Sequence, residues 1–157
     1  MSDRELTEAD RARYVGALAA FDAGDYFACH ELLEHLWLRN RSPARPFFQG
    51  LIQLAGAYLL AERDRPRGAR ALFRESAKRL GPFAPGMLGL DVAHLLLETE
   101  AIQAHAEAMG PDPWIALVRS RRLRLRHETP TLEDFWPHRG VAPLPRAWAP
   151  CAEPVPS

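Results

Sequence analysis

The stretch Ala20-Phe21-Asp22-Ala23-Gly24-Asp25-Tyr26-Phe27-Ala28-Cys29-His30-Glu31-Leu32-Leu33-Glu34-His35-Leu36-Trp37 decides how the chain folds. Gly24 interrupts two runs of helical periodicity, and Asp25 directly after it is a good N-cap for the second run. The pair reads as a helical hairpin. Upstream, Thr7 with Asp10 three residues on resembles a capping box, and Tyr14, Leu18 and Phe21 follow at helical spacing, so a first helix should end near Ala23. The second helix should stop between Asn40 and Pro43.

Working outward in the other direction, Ala44 to Glu62 is apolar nearly all round, as a helix packed on several sides would be. Gln49, Gln53 and its shortness exclude a membrane span. Pro66 suits the first turn of a fourth helix, which Gly81-Pro82 should end. Phe83 to Gly89 reads as a turn-rich loop, and Asp91 opens a fifth helix that uses Val92, Leu95, Leu96, Thr99 and Ile102 before Gly110-Pro111. Beyond Pro113 the pattern changes: Trp114 to Leu117 suits a single helical turn, and Arg121 to His127 alternates as a short exposed strand or extended arm would. Recurrent prolines from Pro130 onward leave little room for regular structure, although Trp136 and Trp148 can anchor the arm. The expectation is an all-α fold, a compact antiparallel bundle of about five helices over residues 1–120, with an irregular proline-rich arm over 121–157. The two hairpins resemble tetratricopeptide units, but two fall short of the three or more a solenoid needs.

A chain of 157 residues, 47% hydrophobic and 25% charged, can build one ordinary core, which excludes disordered and fibrous classes. Lys plus Arg and Asp plus Glu balance at 20 each, so no global field draws the protein to nucleic acid or an anionic membrane. Neither partner is expected; such binding needs a local patch. Cys29 and Cys151 form no disulfide framework or metal spacing and read as reduced thiols. The polar Met1 to Asp10 segment holds no apolar core of a leader, and a cytoplasmic protein is the expectation.

At about 100° per residue, Tyr26, His30, Leu33, Glu34 and Trp37 share one arc of the second helix, while Glu31, His35 and Arg39 point the other way. Arg45, Gln49, Gln53 and Gly56 share a stripe of the third helix. The two polar stripes are expected to meet, with His30 and Glu34 facing Gln49 and Gln53, Gly56 permitting close approach and Arg45 nearby. Such a cluster serves either as a core network that fixes register or as a site. A His-Glu pair at i, i+4 suits a metal or an imidazole made more basic for proton transfer, which makes His30 and Glu34 the metal candidates. The His30-Glu31-Leu32-Leu33-Glu34-His35 run is not a zinc-protease motif, because Glu34 stands where the second histidine belongs. Asp91, His94, Glu98 and His105 read as a solvated helix face, and no Glu-x-x-His pair of a di-iron bundle occurs. Phosphate-binding glycine loops and nucleophile elbows are absent too. Arg121, Arg122, Arg124 and Arg126, beside His127, form a basic patch read first as a charged edge and only second as an RNA contact.

The Ala20 to Trp37 stretch, followed by Phe48-Gln49-Gly50-Leu51-Ile52-Gln53-Leu54-Ala55 and the looser Gly68-Ala69-Arg70-Ala71-Leu72, resembles the small bacterial and archaeal family called domain of unknown function 309. The resemblance covers roughly residues 15 to 80. It implies an all-helical bundle and leaves the activity and any cofactor open. Its motif positions fall on Tyr26, His30, Glu31, Glu34, Trp37, Gln49 and Gln53. Three functions follow as expectations. The first is a binding or interaction module taking a small molecule or protein segment between the second and third helices, with self-association through aromatic surfaces as a further expectation. The second is an enzyme, for instance a metal-dependent hydrolase, using His30 and Glu34. The third is an RNA-associated protein using Arg121 to Arg126.

Overall fold

The computed structural model describes residues 7–39, 44–109 and 123–128. Thr7 and Asp10 close a reciprocal capping box at the start of α1 (Glu8–Ala23): the Asp10 N–H donates to the Thr7 hydroxyl, and the Thr7 N–H donates to the Asp10 carboxylate. Gly24, in the left-handed region at φ 85°, ends α1 by donating back to Ala20 and Phe21. Two residues suffice for the reversal, since Asp25 accepts from the Ala28 N–H at the mouth of α2 (Tyr26–Arg39). Helices α3 (Arg45–Glu62) and α4 (Pro66–Leu80) each begin with a proline in the first turn, where its missing N–H costs nothing.

Successive helices pack on one another, α1 on α2, α2 on α3 and, most extensively, α3 on α4. The core is aromatic. The Tyr26 and Tyr58 rings stack at 4.9 Å, Phe21 meets both edge-on, and Phe73 of α4 closes on Tyr58 at 5.2 Å. The glycines of the α3–α4 pair are there for proximity: a Cβ on Gly50 would lie 2.7 Å from Leu80, one on Gly68 2.8 Å from Leu60, and one on Gly56 3.1 Å from Leu72. Gly56 therefore does admit a close neighbour, but that neighbour is α4 and not α2.

The segment read as a plain loop is more ordered than expected. Gly81–Phe83 continues α4 as a turn of 3-10 helix, and β1 (Gly86–Met87) pairs antiparallel with β2 (Leu90–Asp91). Strands of two residues are too short to carry an alternating pattern, which is why periodicity does not reveal them. Asp91 opens α5 (Val92–Met109) as expected, accepting from the His94 N–H. It is not part of a solvated face, however. Asp91 is buried and Arg126 reaches it at 3.4 Å, whereas His94 and Glu98 are half-buried and His105 is exposed.

Residues 123–128 run alongside the hairpin. The Asp91 N–H donates to the Arg126 carbonyl, the Glu128 N–H to the Gly89 carbonyl, and Leu90 bridges His127. Asp22 of α1 accepts from the Leu125 N–H at 2.8 Å. Leu123 and Leu125 are buried, so this part of the alternating arm is a docked segment and not an exposed strand. The helical turn at Trp114, the residues Arg121 and Arg122, and the tail with Trp136, Trp148 and Cys151 lie outside the described residues.

Candidate functional site

The buried face of α2 is set by Tyr26, Cys29, Leu33 and Leu36. Its centre lies about 60° round the helix from the arc drawn through Tyr26, His30 and Trp37. Cys29 and Leu36 pull the helix round, and His30, Glu34 and Trp37 move to the margin. His30 and Glu34 come together, with Nδ1 and Oε1 3.8 Å apart, but their side chains are 33% and 48% exposed. A pair this open gains little from Coulomb attraction.

Gln53 is engaged elsewhere. Gln53 accepts a hydrogen bond from Arg79 Nε of α4 at 3.2 Å, on the same side of α3 as Gly50 and Gly56. Among the described residues, His30 and Glu34 share no hydrogen bond or ion pair with Gln49 or Gln53. Among the described residues no hydrogen bond or ion pair between side chains joins the two polar stripes: Gln53 bonds to α4, while Phe47, Leu51, Leu54 and Tyr58 of α3 are in the core. Tyr26 is likewise a core ring. Arg45 joins neither group. Its guanidinium lies 4.2 Å over the Trp37 ring and donates from Nε to the Trp37 carbonyl, which fastens the start of α3 to the end of α2.

What the arc leaves outward is a stripe. Phe27, Glu31, Glu34 and Leu38 follow at i, i+4, i+7 and i+11, all exposed, and Phe27 and Leu38 are 56% and 59% exposed. His30 flanks it. Among the described residues only Leu97 is a comparably exposed large apolar side chain, and it lies on α5. Among the described residues, no group of three or more His, Cys, Asp or Glu side chains is placed to hold a metal ion. Cys29 is a free, buried thiol. Burial, and then the charges of Asp22 and Asp25, push it up to about 12, so it stays protonated at neutral pH.

One polar centre escaped the sequence reading. Asp10, fully buried, accepts from Arg39 Nε at 3.1 Å and Nη2 at 3.2 Å, and from Arg13 Nη1 at 3.0 Å, in addition to Thr7. Arg39 thus does not simply face solvent; it ties the end of α2 to the start of α1. The capping spacing located Asp10, but nothing local announced a partner in the next helix.

Fold and surface together define a small all-α bundle whose second helix presents an acidic and apolar stripe outward. Residues 14–72 match the family model described as Domain of unknown function (DUF309), the same family its motifs resemble. The match runs from Tyr14 of α1 into α4. The chain is also similar to the uncharacterized protein YpuF of Bacillus subtilis (strain 168), with 33% identity over 101 residues, 62% of this chain and 58% of that relative. It therefore spans well under two thirds of the curated relative it matches. No solved structure matches. No helix among the described residues is long and apolar enough to cross a membrane.

Proposed function

We propose that this chain is a cytoplasmic protein-interaction module whose docking element is the outward stripe of α2. The observation that carries the reading is the placement of Phe27 and Leu38, three turns apart on one stripe, with Glu31 and Glu34 between them. Isolated exposed apolar residues are ordinary, but two aligned on one helix face, about 16 Å apart, form an anchor pair. Burying each contributes about 1.5–3 kcal/mol. The partner this chemistry fits is an amphipathic helix carrying lysine or arginine between two apolar anchors. A second copy of the same stripe fits poorly, because a twofold contact sets Glu31 and Glu34 against their own counterparts. In this reading His30 borders the contact as the rim partner of Glu34, which leaves an enzymatic role for the pair without a supporting observation.

The test is binding of a labelled amphipathic lysine–leucine helical peptide, followed by fluorescence anisotropy. Phe27→Ser with Leu38→Ser should weaken it by at least about tenfold, worth 1.4 kcal/mol. Glu31→Gln with Glu34→Gln should flatten its salt dependence, with thermal stability unchanged because all four side chains are exposed. Wild-type affinity in both double variants would refute the reading.

A further inference from the structure

Two groups stand out among the basic residues that the structure describes. Arg11, Arg13, Arg39, Arg45, Arg79 and Arg126 each have an internal partner. A second set gathers on α4 and the turn before it: Arg63, Arg65, Arg67, Arg74 and Lys78 are all exposed. Among the described residues, no hydrogen bond or ion pair occupies the guanidinium of Arg63, Arg65, Arg67 or Arg74, and Lys78 has only the neighbouring Glu75 at 3.8 Å. Asp64 and Glu75 are the exposed acids interspersed with them.

Lys78, in the last turn of α4, suits the helix dipole, but Arg63, Arg65 and Arg67 at the other end do nothing for the helix. The helix buries Ala69, Phe73, Ser76 and Leu80 on its other side, and its first turn holds no acidic residue and no side-chain cap. Arginines at that end oppose the helix dipole, so helix stability does not account for them. Arg67, Arg74 and Lys78 form one stripe at i, i+7 and i+11, about 16 Å long, and Arg63 and Arg65 extend the charge beyond its start. This is the local patch that a chain of zero net charge needs in order to hold a polyanion.

We propose that the outer face of α4 is a binding surface for the phosphodiester backbone of duplex nucleic acid. A duplex presents about one negative charge per 1.7 Å, so the length of the stripe faces several phosphates. Arginine supplies all but one of the exposed cations, and its planar fork suits phosphate oxygens. The exposed large apolar side chains among the described residues are Phe27, Leu38 and Leu97, none on α4. The face therefore lacks the groups that insert into a lipid surface and the rings on which unpaired bases stack. Recognition is of the backbone, without base sequence.

The experiment uses the full chain and fluorescein-labelled duplex DNA and duplex RNA of unrelated sequences, read by anisotropy across salt. Expected is binding that is indifferent to sequence and loses about two to three orders of magnitude between about 50 and 200 mM salt, the slope of four to five phosphate contacts. Arg67→Glu with Arg74→Glu should abolish it, and the milder Arg67→Gln with Arg74→Gln should lower the salt slope by about two. Phe27→Ser with Leu38→Ser should leave it intact, which separates this face from the stripe of α2. Absence of binding at about 50 mM salt overturns the proposal. So do glutamine variants that bind with the wild-type slope, phosphatidylserine vesicles bound in preference to duplex, or polyglutamate that competes as well as unlabelled duplex.

Discussion

Arg39→Ala tests the fully buried carboxylate of Asp10 at the start of α1. It removes two hydrogen bonds to Asp10, at 3.1 and 3.2 Å. Leaving a buried charge wholly unpaired costs about 3–5 kcal/mol. Here Arg13 Nη1 and the Thr7 N–H, each at 3.0 Å, remain. Arg39 is also 47% exposed, so water already competes for its charge. The expected cost is then about 1.5–3 kcal/mol, the range for hydrogen bonds to a charged group. For a chain of this size that lowers Tm by about 3–12 °C. Asp10→Ala costs more than its pairing, because it also strips the Thr7 N–H of its cap partner. A double-mutant cycle isolates the Asp10–Arg39 coupling.

The same pair fixes the pH dependence. Burial alone would raise the Asp10 carboxyl, but the Arg39 hydrogen bond, the Thr7 N–H and the Arg39 charge outweigh it and hold the group below its usual 3.8. A carboxyl lowered on folding stabilises fully above its unfolded value, and that contribution fades as pH falls through the folded value. The gap in Tm between wild type and Arg39→Ala, measured by circular dichroism, should be full at about pH 6 and shrink below about pH 4. A coupling under about 0.5 kcal/mol, or a gap unchanged between those limits, would refute the account.

Two further perturbations read other parts of the core. Tyr58→Phe removes a buried hydroxyl that has no hydrogen-bond partner, so Tm should hold or rise, and a loss above about 1 kcal/mol would mean that the hydroxyl is satisfied after all. Gly89→Ala forces a side chain into the left-handed region at φ 79° and drives its Cβ into the Glu128 carbonyl. It should destabilise by more than about 1 kcal/mol and expose residues 123–128 to limited proteolysis; protease resistance equal to wild type would show that the segment docks without this close approach.

The helices were legible because their ends are written locally. Thr7 with Asp10, Gly24 with Asp25, Pro66 and Asp91 each act within a few residues of themselves, and the structure uses each where the spacing put it. The polar pairings were not legible, and for one reason. Periodicity gives a helix its apolar face to within a residue or two, but which neighbour that face meets is decided by volume. Polar matching sent Gln53 towards His30, whereas the space opened by Gly50 and Gly56 drew Leu80 and Leu72 of α4 onto that side of α3 and brought Arg79 to Gln53. On α2, Cys29 counted for little in a hydrophobic reading, yet its burial beside Leu36 turned His30 and Glu34 outward.

That rotation changes what the motif residues of α2 are for. Tyr26 and Leu33 are held in place by packing. His30, Glu31 and Glu34 stand outside that packing: Glu31 and Glu34 are exposed, and His30 is half-buried at the margin of the core face. On the reading proposed above, this polar set and the apolar pair beside it form the face that a partner helix would cover.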